Sequence, residues 1–354
     1  MSRPPVRGDL SALEGYHSPQ LDVEVRLNTN ESPLPPPPDF IAELRDAVAR
    51  IRWNRYPDRA ATALREGLAD RHGVDPGQVF VANGSNEVIQ TLLLTFAGAG
   101  RRVLTFEPTY AMHSQIARTS GATVVTAERR SDFGLDREAV TSKMDEVNPS
   151  VTFLCSPNNP TGTVDPPELV TEVVERSPGL VVVDEAYGEF AEWSALGLLG
   201  EEVPLVVTRT YSKVWSMAAM RLGYMIGPRW LVAELDKVVL PYHLDAVKQE
   251  AGLLALSHTA EMEARVAELV ASRRLLESAL NRMGVDVWPS QANFILFRPR
   301  RLPGGDVWRG LVDRSVLVRD CSSWPRLENC LRVTVGSRSE NERFLSSLEE
   351  VLRS

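Results

Sequence analysis

What this sequence has little of narrows its class first. Its three cysteines, Cys155, Cys321 and Cys330, form no C-x-x-C pair. An odd, low count fits buried thiols in a reducing compartment, and the cytoplasm is the expected location. No stretch approaches the roughly 18 consecutive apolar residues of a membrane span. The opening, Met1 to Gly8, is polar and proline-rich, without the apolar core of a signal peptide. Lysine and arginine form no block, the net charge is −8 and the sequence pI is about 5.4. That balance argues against nucleic acid and anionic membranes as partners. His17, His72, His113, His243 and His258 show no H-E-x-x-H or other tight ligand spacing, so they read as ordinary surface or core residues and no metal is expected. Gly98-Ala99-Gly100 is too short for a dinucleotide fingerprint, and G-x-x-x-x-G-K-[ST] does not occur. What is present is bulk: 354 residues, 43% hydrophobic, enough for a large core.

The chain divides by texture. Residues 1–38 read as an arm, with RLNTNE at Arg26–Glu31 and the stiff polyproline run SPLPPPP at Ser32–Pro38. Asp39 is expected to cap a helix whose apolar face holds Phe40, Leu44, Ala47, Val48 and Ile51. Across 39–243, short β-rich runs alternate with helical stretches. The strand candidates are Val79–Ala82, Val103–Phe106, Thr123–Thr126, Val151–Cys155, Leu180–Val183, Leu205–Thr208 and Gly223–Ile226. Helical crossovers between such runs predict an α/β unit with a mostly parallel seven-stranded sheet, and polar residues gather just after the strands, where open α/β sheets bind ligands. Residues 244–354 predict a smaller α+β domain completed by the arm. It holds a helical stretch Ala246–Met283 stopped by Gly284, then extended segments Val285–Pro299, Val316–Asp320 and Leu331–Gly336. A last helix is expected near Ser339, with Glu342 completing a capping box.

Four motifs sit behind these strands. Thr210-Tyr211-Ser212-Lys213 follows Leu205–Thr208, with Arg221 eight residues beyond the lysine. A loop lysine is ordinarily just a surface charge. Hydroxyls and an arginine beside it, however, suit a phosphate and leave an amine free for a Schiff base. VVVDEAY ends a buried strand at Asp184, either a helix cap or a carboxylate aimed at a pyridinium nitrogen, with Tyr187 near the ring oxygen. SPNNPTG at Ser156–Gly162 is either a plain turn or a device that aims the amide of Asn159. NGSNE at Asn83–Glu87 opens a helix whose free N–H groups suit a phosphate, although most such sequences are simple caps.

Taken jointly and in this order, SPNNPTG, VVDEAY and RTYSK with Arg221 resemble the fold-type-I, class I/II aminotransferases that use pyridoxal-5′-phosphate (PLP). The arm, with Tyr16 ahead of HSPQLDVEVRLNTNESP, is similar to the histidinol-phosphate aminotransferase branch, as are RYPD at Arg55–Asp58, Pro108-Thr109-Tyr110, VLVRD and LRVTVG. The resemblance implies that Lys213 carries PLP and shuttles the proton, and that Asp184 binds the pyridine nitrogen. Asn159 and Tyr187 hold the ring oxygen, and Tyr110 stacks on the ring. Gly84, Ser85, Asn86, Thr210, Ser212 and Arg221 surround the cofactor phosphate. Tyr56 reaches the phosphate of a neighbouring subunit, which implies a homodimer. Arg319 and Arg332 bind the substrate's anionic end, with Tyr16 and Asn28 or Asn30 nearby.

The sequence departs from that pattern at Ser32, where the arm usually has asparagine. Asn86 stands where the phosphate loop has aspartate, and Val214–Met220 lacks the usual glycine. Two inward arginines would favour a phosphate dianion or a dicarboxylate, since one bidentate arginine satisfies an α-carboxylate. Arg319 turned outward, paired with Asp320, would favour an aromatic amino-acid aminotransferase instead. A phosphate-ester decarboxylase of the same fold and a non-catalytic PLP-binding regulator are the remaining alternatives.

Overall fold

A computed structural model describes residues 3–11, 13, 15 and 19–353. Its strands are β1 (Val25–Leu27), β2 (Val79–Ala82), β3 (Arg102–Glu107), β4 (Thr123–Glu128), β5 (Val151–Cys155), β6 (Leu180–Asp184), β7 (Leu205–Thr210), β8 (Gly223–Ile226), β9 (Val285–Val287), β10 (Phe294–Pro299), β11 (Val316–Asp320) and β12 (Leu331–Thr334). Its α-helices are α1 (Pro38–Arg50), α2 (Thr62–His72), α3 (Ser85–Phe96), α4 (Ala111–Thr119), α5 (Arg137–Val147), α6 (Pro167–Arg176), α7 (Arg229–Val238), α8 (Ala246–Ser257), α9 (Thr259–Asn281), α10 (Gly304–Val312) and α11 (Arg338–Arg353).

The large sheet runs β2-β8-β7-β6-β5-β3-β4, parallel except at β8, which is antiparallel to both its neighbours. β5, β6 and β7 are buried at every position because helices cover both faces. On one face Val151, Phe153, Val182 and Val206 pack with α3, α4 and α7; on the other Leu154, Val181, Val183 and Val207 pack with α5 and α6. Period-two alternation thus supplies two cores from one set of strands. The parallel order aligns the carboxyl ends of β3, β5, β6 and β7 along one edge, where the polar motifs lie.

The smaller sheet runs β1-β11-β12-β10-β9, with α9, α10 and α11 over its core. The arm enters it through β1, which pairs parallel with β11 from Val25↔Val316 to Leu27↔Val318. Among the described residues, no helix is long and apolar enough to cross a membrane.

Three local expectations change. Asp39 lies in the first turn of α1 rather than capping it, because Pro38 fills the helix start, where its missing N–H is no loss. The stretch 246–283 breaks at His258, giving α8 and α9, and α8 packs on α1 and α2. The last capping box sits two residues earlier: Glu340 N–H donates to Ser337 Oγ, and Ser337 N–H donates to Glu340 Oε2 at 2.7 Å.

Candidate active site

A cavity of about 380 Å³ opens at the carboxyl edge of the large sheet, between it and the smaller sheet. Asp184, the last residue of β6, is 2% exposed. Its Oδ1 accepts from Thr208 Oγ1 at 3.0 Å and from the Ala186 N–H at 3.1 Å, and its Oδ2 meets His113 Nε2 at 2.8 Å. A carboxylate so buried stands only because each oxygen has a donor. His113 is therefore not an ordinary core histidine as the sequence suggested. It sits on α4 three residues after Tyr110, their rings edge to face with centroids 5.4 Å apart. The i, i+3 spacing of an aromatic and a histidine behind a strand was the available signal.

Lys213 reaches the same cavity from the loop after β7, where its Nζ donates to the Thr29 carbonyl at 3.1 Å. Burial, then Arg332 and Arg221, bring its amine down to about 7, against the opposing pull of Glu31. Tyr187 is buried, and desolvation pushes its hydroxyl up to about 12, so it stays protonated. The Tyr187 oxygen accepts from Asn30 Nδ2 at 2.9 Å, which leaves its own hydrogen to donate. Asn159 gives its amide oxygen to Arg332 Nη1 and keeps its N–H₂ for another acceptor. Arg332 Nη2 donates to the Asn28 carbonyl at 2.8 Å. Arm, lysine and arginine are thus tied together around one space.

Beside the lysine is a cradle for an anion. Ser85, Asn86, Thr210, Ser212 and Arg221 line the cavity, and Arg221 Nη1 donates to Ser212 Oγ at 3.2 Å. Helix α3 begins at Ser85 without a side-chain cap, so its first turn faces the cavity with N–H groups to offer. Gly84, at φ +82°, is the close approach: a Cβ there would lie 2.9 Å from Arg221 Nη2. A neutral-range amine, an anion cradle and a buried carboxylate in one cavity fit PLP, whose aldehyde, phosphate and ring nitrogen need those three partners.

The remaining expected residues fall as follows. Tyr110 lines the cavity and donates its hydroxyl to Asn86 Oδ1 at 3.2 Å, so the asparagine at that departure serves the aromatic ring. Arg319 and Arg332 both line the cavity and are cross-strand partners in β11 and β12. Asn28 contributes its carbonyl, while its side chain turns to Pro19. Tyr56 is 79% exposed, outside this cavity, and stacks on Tyr242. Tyr16 lies outside the described residues. The other two departures touch each other: within 214–220, Ser216, at φ +56°, gives its hydroxyl to Ser32 Oγ at 2.8 Å. Glu31, Met112 and Trp324 also line the cavity and carried no signal in the sequence.

Comparison with known proteins agrees with this geometry. Residues 23–348 match the family described as aminotransferase class I and II. The histidinol-phosphate aminotransferase of Thermobifida fusca is 44% identical, the alignment covering 97% of this chain and 94% of that one. Its counterpart from Corynebacterium diphtheriae is 40% identical over 98% and 96%. The crystal structure of histidinol-phosphate aminotransferase from Sinorhizobium meliloti in complex with pyridoxal-5′-phosphate superposes with a TM-score of 0.89 at 22% identity, covering 99% of this chain and 98% of that one; this likeness shows the fold. With its family pattern matched over most of its length, this chain belongs to the class I and II aminotransferases.

Proposed function

We propose that this chain is a PLP-dependent histidinol-phosphate aminotransferase, converting L-histidinol phosphate and 2-oxoglutarate to imidazole acetol phosphate and L-glutamate. The observation that carries the substrate is the pairing of Arg319 with Arg332 on adjacent strands, both lining the cavity that holds Lys213. Two guanidiniums suit a phosphate dianion on one substrate and the distal carboxylate of the other. Arg332 Nε, buried with no hydrogen-bond partner among the described residues, still has an N–H to give. An aromatic aminotransferase would need only Arg332, and the inward Arg319 speaks against it.

In this reading Lys213 holds the cofactor covalently, Asp184 its ring nitrogen, and Asn159 and Tyr187 its ring oxygen. Ser85, Asn86, Thr210, Ser212 and Arg221 hold its phosphate, while Tyr110 covers one ring face. Bound PLP supplies the electron sink for charge released at the donor's Cα. The chain's own residues do the rest. Lys213, its amine brought down to about 7, would hold the cofactor's aldehyde carbon and would serve as the base that takes the proton from the donor's Cα. Asp184, its oxygens met by Thr208, Ala186 and His113, would bind the ring nitrogen. Tyr187 would donate to the ring oxygen, and Thr29, Asn30 and Glu31 of the arm line the cavity beside it.

We also propose a homodimer. Trp53, Tyr56, Leu240 and Tyr242 are large exposed side chains, at 69, 79, 75 and 41%. Such aromatic and apolar exposure suits a surface that a second copy covers. The three free, buried cysteines suit a reducing, cytoplasmic setting.

The test of the reading is a single half-reaction. PLP-loaded protein is mixed with L-histidinol phosphate or with L-phenylalanine, and the absorbance of the lysine-bound cofactor is followed. Rapid loss with the phosphate ester alone is the expected result. A preference for phenylalanine would move the enzyme to aromatic amino acids.

A further inference from the structure

The active-site cavity has a neighbour. A second hollow of about 410 Å³ is lined by Glu107, Arg118, Glu128 and Arg326 among others. The two cavities have Ala111 and Trp324 in common. Ala111 offers only a methyl group, so the indole of Trp324 is the bulk of the wall between them.

The backbone that carries this indole is firmly held. The Trp324 main-chain N–H donates to the Cys321 carbonyl at 2.9 Å, and the Trp324 carbonyl accepts from the Leu327 main-chain N–H at 3.2 Å. The ring packs on a small apolar cluster that includes Phe133, Leu296 and Leu327. Two residues on, Arg326 donates to the Arg129 carbonyl and pairs with Glu128 at 3.2 Å, fastening this loop of the smaller domain to the end of β4. On its cavity side the ring carries the guanidinium of Arg319, 5.8 Å from the centroid. A cation held over an aromatic face is partly desolvated and pre-oriented, both of which strengthen its hold on an anion.

We propose that Trp324 determines donor specificity, by backing Arg319 and by closing the donor cavity off from the second hollow. Donors with an anionic end and one small ring fit; bulkier apolar side chains meet the indole. This rests on the reading that Arg319 meets the donor's anionic end.

Trp324→Ala and Trp324→Phe, made in the PLP-loaded enzyme, test it with L-histidinol phosphate, L-phenylalanine and L-tryptophan as donors. Trp324→Ala should raise KM for histidinol phosphate about tenfold, with a smaller change in kcat, through loss of the cation–π face. It should also raise kcat/KM for L-tryptophan about tenfold, as the wall opens. Trp324→Phe keeps a face and most of the wall, so it should lie close to wild type on all three donors. An equal change on every donor, or no gain with L-tryptophan, overturns the proposal. Should Trp324→Ala lose its cooperative melt, Trp324→Leu retains apolar packing without the aromatic face and is judged by the same criteria. A wild-type enzyme that ignores histidinol phosphate defeats the functional reading alone; the tryptophan-to-phenylalanine ratio in the variant still decides whether Trp324 is the wall.

Discussion

The imidazole of His113 lies flat on Phe153, centroids 4.5 Å apart, and reaches Asp184 Oδ2 at 2.8 Å. An ionised carboxylate only accepts, so His113 Nε2 carries the hydrogen. Replacing it with leucine leaves a buried carboxylate oxygen without its donor, a cost of about 1–3 kcal/mol. His113→Leu should lower the melting temperature and reduce kcat about tenfold, while His113→Asn, which can still donate, should recover part of both. Thermal melts beside steady-state kinetics decide it; an unchanged kcat in the leucine variant would make His113 a packing residue only.

Lysine is scarce here: Lys143, Lys213, Lys237 and Lys248 are the whole set. Three of them pair with carboxylates three residues away: Lys143 with Glu146 and Lys237 with Glu234 within a helix, and Lys248 with Asp245, the residue that caps α8. Lys213 alone stands in a cavity with its amine lowered to about 7. Lys213→Ala should abolish turnover and covalent retention of PLP, read by absorbance after gel filtration.

The same lysine sets a pH dependence. In the unfolded chain its amine returns to about 10.5. Between pH 7 and that value the unfolded chain binds more protons than the folded one, so this group makes stability rise with pH there. PLP capture by the cofactor-free protein should likewise speed up as pH climbs through about 7, since the neutral amine attacks. Stopped-flow absorbance across that range tests it, and a flat profile would contradict the lowered amine.

Arg319 is partly exposed, which dilutes its charge, so Arg319→Ala should cost about 2 kcal/mol with histidinol phosphate, the low end for a lost charge pair. Phenylalanine should be nearly unaffected. Arg332→Ala should damage both donors, because Arg332 also positions Asn159 and the arm. Paired kcat/KM values measure the split; equal losses for Arg319→Ala would remove the case for a phosphate site.

Gly223 offers a test of the cradle that spares every polar side chain. A Cβ there would lie 2.4 Å from the Ser85 nitrogen and 2.6 Å from the Gly84 carbonyl carbon, both backbone. The start of α3 would have to shift away from β8. Gly223→Ala should weaken PLP retention by at least about tenfold, the scale of a misplaced binding group. Fluorescence titration with PLP reads this directly.

Much of this architecture was legible because it repeats a physical rule. Strands covered on both faces must be apolar throughout, so β5, β6 and β7 stood out, and the motifs behind them marked the cavity's edge. His113 left only the faint mark of a histidine three residues after Tyr110, because a buried histidine and an idle one look alike until the strand that faces it is known. The contact between Ser32 and Ser216 was also hidden, since a contact spanning 184 residues has no trace in local pattern. Asp39 misled for the opposite reason: a good capping residue was present, but the proline before it had already begun the helix.

The pairing of β1 with β11 has a temporal meaning. Val25 finds its neighbour only when Val316 exists, so during synthesis the arm waits for nearly the whole chain before it can dock. The arm carries Thr29 and Asn30 to Lys213 and Tyr187. Contacts of such long range close late in folding. A chain halted before β11 lacks the strand on which the arm docks, and so has no means of bringing Thr29 and Asn30 to the site.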